Sequence, residues 1–246
     1  MTAFLFFLSA LLYATVGFGG GSTYNALLIL ADFDFRHIPI IALSCNIFVV
    51  LGNCFRYQSH GLIPWRFSIP LIFVSVPASF IGGSIQVSEM VFMLLLGLGL
   101  ITSGFLMWIS PNESEENPGK NRQNIYSNTI ISLLLGFLAG IIGIGGGIFF
   151  APILHLQSAL TSKKISAFSS LFILVNSIAG LLGQFYKNID TDIGFDFNEY
   201  SMLLIAVILG GQIGNYLGVR IFSGSIVRRL TSVLVIYVGI RLIINI

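Results

Sequence analysis

The sequence predicts an all-α polytopic membrane protein made of two inverted repeats. Each repeat is expected to hold a glycine-broken re-entrant helix hairpin followed by three transmembrane helices, so that hydropathy shows eight apolar segments. Three observations carry this expectation. The 246 residues are 55% hydrophobic and only 9% charged, where a soluble domain has about 25% charged residues. A glycine run occurs twice, as Gly17-Phe18-Gly19-Gly20-Gly21 and as Gly143-Ile144-Gly145-Gly146-Gly147, 126 positions apart. Equivalent loops of the two halves carry opposite charge bias.

The first apolar stretch, residues 3–31, contains the first run. Its opening, Met1 to Ala14, lacks the basic region of a signal peptide, and a counterpart recurs mid-chain, so it reads as mature protein. Apolar segments follow at 39–55, 67–87 and 90–109. Residues 110–127 form a polar linker with Pro111, Pro118, Gly119 and three glutamates. The domain division is therefore 1–109, linker 110–127, and 128–246. The second half repeats the layout with 128–160, 165–185, 200–219 and 226–246. Six segments match the roughly 20 residues that a span needs. The two glycine stretches are long for one untilted span and short for two.

The loops choose between a hairpin and a broken span. The loop after 39–55 carries Arg56 and Arg66 and no acid. Its counterpart, 186–199, sets Lys187 against Asp190, Asp192, Asp196 and Glu199. The loop at Gln86 to Glu89 has no Lys or Arg, whereas its counterpart has Arg220, Arg228 and Arg229. Lys and Arg favour the cytoplasmic side. Equivalent loops then lie on opposite sides, which requires an odd number of crossings per half. Three full spans plus a re-entrant hairpin satisfy this and place Lys163-Lys164 inside. Arg241 is a mild exception. The competing arrangement is eight plain spans with each glycine stretch a broken helix.

Consecutive glycines are poor helix formers. Backbone freed inside lipid is tolerated only where it is buried in protein or lines a cavity. Paired interruptions at matching places in two halves point to a carrier's central site. After each turn a half-helix begins with unpaired N–H groups and the positive end of its dipole, chemistry that attracts an anion. Gly19, Gly20, Gly21, Gly145, Gly146 and Gly147 are the candidate backbone donors. Ser22 and Thr23 follow the first run, while Ile148 and Phe149 follow the second and offer backbone only.

On a helix over 165–185, Ser166, Ser169, Ser170, Asn176, Ser177, Gly180, Gly183 and Gln184 fall in one stripe roughly 140° wide. It reads as a helix–helix seam or as a pathway lining. Ser169, Ser170 and Asn176 join the candidate set, with Asn46 from the first half and Gln212 from 200–219. The glycines at 210, 214 and 218 are spaced for helix packing. Cys45 and Cys54 would lie about 13 Å apart on one helix, too far for a disulfide.

No Asp, Glu or Lys lies well inside a predicted span, so no carboxylate relay of the pump type is visible. His155 alone lies within an apolar stretch. There is no HEXXH motif, Walker loop or Ser-His-Asp set. Neither an enzyme, a cofactor nor a metal site is expected. A net charge of +2 argues against a nucleic-acid partner. The expected partners are a small anionic substrate and the lipid bilayer of a cell membrane.

The duplicated pattern resembles the TauE/SafE family of sulfite exporters. The resemblance rests on Gly17 to Gly21, on Gly140 to Gly147 followed by Pro152, on Ala42 to Asn46 with Arg56 and Gly61, and on Ala167 to Gly183. It implies export or uptake of sulfite, organosulfonates or related sulfur anions. Pro152 maps onto Ala26, so the first repeat lacks that proline. A passive anion channel, or an exporter of another small carboxylate, is the alternative.

Overall fold

A computed structural model describes residues 1–15, 17–109, 125–157, 160–188, 197–217 and 224–244. The described residues form ten helices and no strand: α1 Thr2–Thr15, α2 Gly21–Leu30, α3 Ile38–Ser59, α4 Trp65–Ser84, α5 Glu89–Ile109, α6 Ile125–Ile142, α7 Gly147–Leu156, α8 Ser162–Lys187, α9 Phe197–Leu217 and α10 Gly224–Ile244. Five of them, α3, α4, α5, α6 and α8, are long and apolar enough to cross a membrane. The linker charges at 110–124, the acids at 190–196, Arg220 and Gly218 lie outside the described residues.

Each glycine stretch is broken at its glycines into two helices, which turns eight apolar segments into ten helices. The second pair folds back on itself. Gln157, just past α7, donates from Nε2 to Asn128 Oδ1, near the start of α6, at 3.1 Å. A straight broken helix of this length would hold those ends roughly 40 Å apart at 1.5 Å per residue. The first pair is clamped near its turn by Tyr13 and Thr23, whose hydroxyls lie 2.9 Å apart. Phe6 stacks on Tyr24 with ring centroids 4.9 Å apart.

Helices at equivalent places in the two halves run antiparallel where they meet. On α3 and α8, Gly17 lies between Tyr57 and Ser166, while Leu43 lies near Gly180. On α5 and α10, Gly97 faces Gly239 and Ile243, and Gly104 faces Ser232 and Ile236. Two exchanged pairs complete the bundle, α1 with α9 and α4 with α6. Their axes approach closely through small residues, as lipid-embedded helices commonly do. A Cβ on Gly140 of α6 would lie 2.6 Å from the Gly83 nitrogen of α4, and one on Gly214 of α9 would lie 3.0 Å from Ala14 Cβ of α1. Gly210 packs on Phe7 and Ala10 in the same way, so the packing role expected for this glycine series holds at Gly210 and Gly214. Gly97 packs in the same way in the α5–α10 contact, where a Cβ would lie 2.9 Å from Ile243 Cγ1 and 3.2 Å from the Gly239 carbonyl oxygen.

The outer surface is apolar. Phe73 is 81% exposed, and Phe4, Phe55, Phe105 and Met202 are also exposed. Cys45 and Cys54 are both free and buried. Between α2 and α3 an ion pair of Arg36 with Asp34, 2.6 Å long, holds the Asp34 carboxyl below its usual range through the hydrogen bond from the guanidinium.

The close approaches make a direct test. Overpacking of a tight contact costs typically about 1–3 kcal/mol. Gly140→Val and Gly214→Val should therefore each lower the melting temperature in detergent, while Phe73→Ala should leave it near the parent value. Parent-like melting of both glycine variants would contradict the packing described here.

Candidate functional site

The two glycine turns meet at the centre of the bundle, between α3 and α8. Asn46 of α3 is the shared neighbour. A Cβ on Gly21 would lie 2.6 Å from Asn46 Nδ2 and 2.7 Å from the Ile144 carbonyl oxygen. One on Gly145 would lie 3.1 Å from Asn46 Nδ2 and 3.1 Å from Ser177 Oγ. Gly19 faces Asn46 Oδ1. Ile173 of α8 is the second shared neighbour, within van der Waals reach of Gly19, Gly145 and Gly147. Six candidate residues, Gly19, Gly21, Asn46, Gly145, Gly147 and Ser169, are thus brought to one place, the last through its carbonyl 2.8 Å from a Cβ on Gly147.

The backbone explains why glycine stands there. Gly143, Gly145 and Gly146 have φ of +77°, +79° and +74°, a left-handed region that L side chains rarely adopt. The first turn has one such residue, Gly17 at +81°, and Gly20 caps α2 at φ −112°. The two turns therefore differ in shape at equivalent positions 20 and 146. The half-helices that follow are both ten residues long, so Pro152 does not shorten α7 relative to α2. Neither half-helix has a side-chain cap at its start. The positive dipole end lies at each of these starts, but in the second half-helix the Gly147 N–H donates to the Gly145 carbonyl at 3.0 Å and the Phe149 N–H to the Gly146 carbonyl at 3.2 Å, so Gly147, expected as a backbone donor, is engaged within its own turn.

Cross-half hydrogen bonds hold the turns together. Asn25 Nδ2 donates to the Ile142 carbonyl at 2.6 Å, and Asn46 Nδ2 donates to the Ile144 carbonyl at 3.3 Å. Ser170 donates to the Gly17 carbonyl. Ser79 of α4 donates across the halves to the Asn176 carbonyl at 2.7 Å, while within the second half Gln184 donates to the Gly140 carbonyl at 2.8 Å. The polar stripe of α8 is in part a seam. The rest of that stripe includes unpaired groups, Ser169 Oγ, Asn176 Oδ1 and Ser177 Oγ, and Ser22 Oγ and Tyr24 OH of α2 and Asn46 Oδ1 of α3 are likewise buried without a hydrogen-bond partner.

The remaining candidates take other places. Thr23 is engaged by Tyr13, Gly20 packs under the ring of Tyr24, and Gly146 lies against Leu135 and Phe172. Gln212 is exposed on α9 and lines a separate cleft of about 390 Å³ with Arg56, Asn215 and Tyr216. Arg56 caps the end of α9 through the Asn215 carbonyl. Tyr24, Asn25 and Ile173 also meet at or beside the turns, although the sequence did not single them out. An amide one helical turn after a glycine run was the available signal for Asn25. His155 is half-buried on α7, away from this set in the second half of its short helix.

A family model described as sulfite exporter TauE/SafE matches residues 2–242. The chain belongs to the TauE/SafE family. It is 32% identical over 243 residues to a probable membrane transporter protein, y4hK, of Sinorhizobium fredii, covering 98% of this chain and 96% of that one. A probable membrane transporter protein of Methanocaldococcus jannaschii is 28% identical over 228 residues, covering 87% and 83%. The probable membrane transporter protein YunE of Bacillus subtilis is 23% identical over 255 residues, covering 93% and 91%. No solved structure matches the chain. The family resemblance read from the glycine runs is thereby established over nearly the whole length.

The unpaired hydroxyls separate structural from spare polar groups. Removing a buried hydroxyl that has no partner is close to neutral or stabilising, whereas removing a bonded one costs about 1 kcal/mol. Ser22→Ala and Ser177→Ala should keep or raise the melting temperature of the purified TauE/SafE protein. Ser79→Ala should lower it by a few degrees. A clear loss of stability in Ser22→Ala or Ser177→Ala would mean that those hydroxyls are structural.

Proposed function

We propose that this chain is a secondary carrier of a small anion in the cell membrane, with sulfite, an organosulfonate or a related sulfur anion as substrate. The observation that carries it is the convergence of two half-helix N-termini without side-chain caps on a buried centre beside the unpaired Ser177 hydroxyl. Such N-termini favour negative charge, and Ser22, Ser169 and Ser177 can each donate to an oxyanion. Family membership narrows the anion to sulfur chemistry, and the relatives' names support transport.

A carrier accounts for the centre better than a channel. Asn46, Ser169 and Ser177 are each 0% exposed and Ile173 is 1% exposed, so the site is closed to both sides. Alternating access then requires the halves to rock about it. The inverted-repeat reading is supported by the antiparallel approach of α3 to α8 and of α5 to α10. The re-entrant reading is supported by Gln157 beside Asn128. In this arrangement each half contributes three crossings and one hairpin.

Ligand binding raises apparent stability by mass action. Sulfite, thiosulfate or a small sulfonate should raise the melting temperature saturably, where chloride does not. At matched expression, Asn176→Leu should reduce both this shift and uptake into proteoliposomes more than Leu174→Ala. Absence of a shift with every sulfur anion would remove the substrate reading.

Topology has its own test. Both native thiols are buried, so the labelling background is low. Gln58→Cys and Ser225→Cys should be shielded from an impermeant thiol reagent added outside intact cells, and Asp192→Cys should react. Outside labelling of position 58 with protection of position 192 would overturn the inverted arrangement.

A further inference from the structure

The central site holds more unpaired acceptors than an anion can use. Asn25 spends its Nδ2 on the Ile142 carbonyl at 2.6 Å, and Asn46 spends its Nδ2 on the Ile144 carbonyl at 3.3 Å. Those bonds settle which end of each amide is which, because turning either over would set its oxygen against a carbonyl oxygen. What each amide leaves over is an oxygen. Asn25 Oδ1 and Asn46 Oδ1 are both buried without a partner, on side chains that are 0% exposed. An amide oxygen is an acceptor only, so it repels an anion and attracts a cation.

The two amides share one address. Both bond the segment 142–144, where α6 ends and the second turn begins. A Cβ on Gly21 would lie 2.6 Å from Asn46 Nδ2, and Asn25 stands one helical turn beyond Gly21 on the same face of α2. The end of α6 carries the negative pole of its dipole, which favours a cation. Each hairpin turn places such a C-terminal end beside the N-terminal end of a half-helix. Opposite poles are therefore adjacent at the centre, one suited to each sign of charge. Coordination of Na⁺ by helix C-terminal ends and unwound backbone beside an anionic substrate is an established solution in membrane carriers.

We propose that Asn25 Oδ1 and Asn46 Oδ1 ligate an alkali-metal cation that binds next to the transported anion. The inference rests on the anion-carrier reading for what the cation accompanies. Its valence follows from the ligands. Neutral oxygens are hard donors without charge, whereas Ca²⁺ and Mg²⁺ sites use carboxylates. Among the described residues no group of three or more His, Cys, Asp or Glu could hold a metal ion. A cation beside the anion also offsets the charge placed at membrane depth, which is costly when unpaired.

The test uses the intact protein in nanodiscs at constant pH and ionic strength. Choline chloride is replaced stepwise by NaCl or KCl, with no sulfur anion present, and the melting temperature is followed. A saturable rise with Na⁺ or K⁺ over choline is the expected result. Asn46→Ser and Asn25→Ser should each raise the half-maximal cation concentration at least tenfold, while Asn53→Ser, at a buried amide of α3 outside the site, should leave it unchanged. Sulfite is then titrated with and without the cation. Coupled sites must help each other reciprocally, so sulfite should bind more tightly in its presence. If neither cation shifts the wild-type melting temperature, or if acidification in choline alone reproduces the shift, the cation site is wrong. Failure of sulfite to bind under any salt, with the cation shift intact, would instead sink the anion reading and leave the cation site standing.

Discussion

The structure depends on one constraint: backbone polar groups exposed at membrane depth must find partners inside the protein. Two glycine turns break helices where lipid supplies no hydrogen bonds. The protein answers by pressing the turns against each other and crossing them with amides. Asn25 reaches the Ile142 carbonyl, Asn46 reaches the Ile144 carbonyl, and Ser170 reaches the Gly17 carbonyl. Each bond joins one half of the chain to the other. The broken helices are therefore stable only as a pair, and the place where they are stabilised is also the place where donors and acceptors remain to be used.

Packing and chemistry are divided along the same helices. On α8, Gly180 and Gly183 admit α4, Gln184 ties down the end of α6, and Phe168 and Phe172 pack edge-on to Phe150 of α7. Between these structural contacts stand Ser169, Asn176 and Ser177, whose side-chain oxygens have no partner. An unpaired buried acceptor or hydroxyl lowers stability. Ser177 stands beside the second glycine turn, 3.1 Å from a Cβ on Gly145. The exchanged pairs α1–α9 and α4–α6 frame this centre, α6 also bringing the Ile142 carbonyl to it, and the exposed aromatic and aliphatic side chains of the outer helices provide the surface that meets lipid.

Asymmetry between the halves also has a physical basis. The second turn uses three left-handed glycines and the first uses one. Ser22 and Tyr24 bring side-chain hydroxyls to the first half-helix, where the second has Ile148 and Phe150. Arg56 of α3 caps α9, and its equivalent at position 182 is Leu. These differences make the surroundings of the two turns chemically unlike.

The helices were legible in the sequence because lipid makes their signal strong. Apolar runs of span length, two glycine breaks at a constant offset, and loop charge bias are all local or periodic patterns. The break at each glycine run, the packing role of Gly210 and Gly214, and the free state of the two thiols followed from spacing alone. The site was legible only in part. Gly19, Gly21, Asn46, Gly145, Gly147 and Ser169 converge as the pattern suggested, but Thr23 is consumed by Tyr13 and Gln212 lies in another cleft with Arg56. Tyr24 and Ile173 could not be assigned from sequence, and Asn25 offered only its spacing from the glycine run, because their roles arise from which carbonyl or ring lies opposite after the halves dock. Hydropathy and helical period say which face of a helix is polar; they do not say whether a given hydroxyl or amide will be satisfied. That was decided by tertiary structure, since a hydrogen-bond partner 98 or 117 residues away leaves no trace in local sequence.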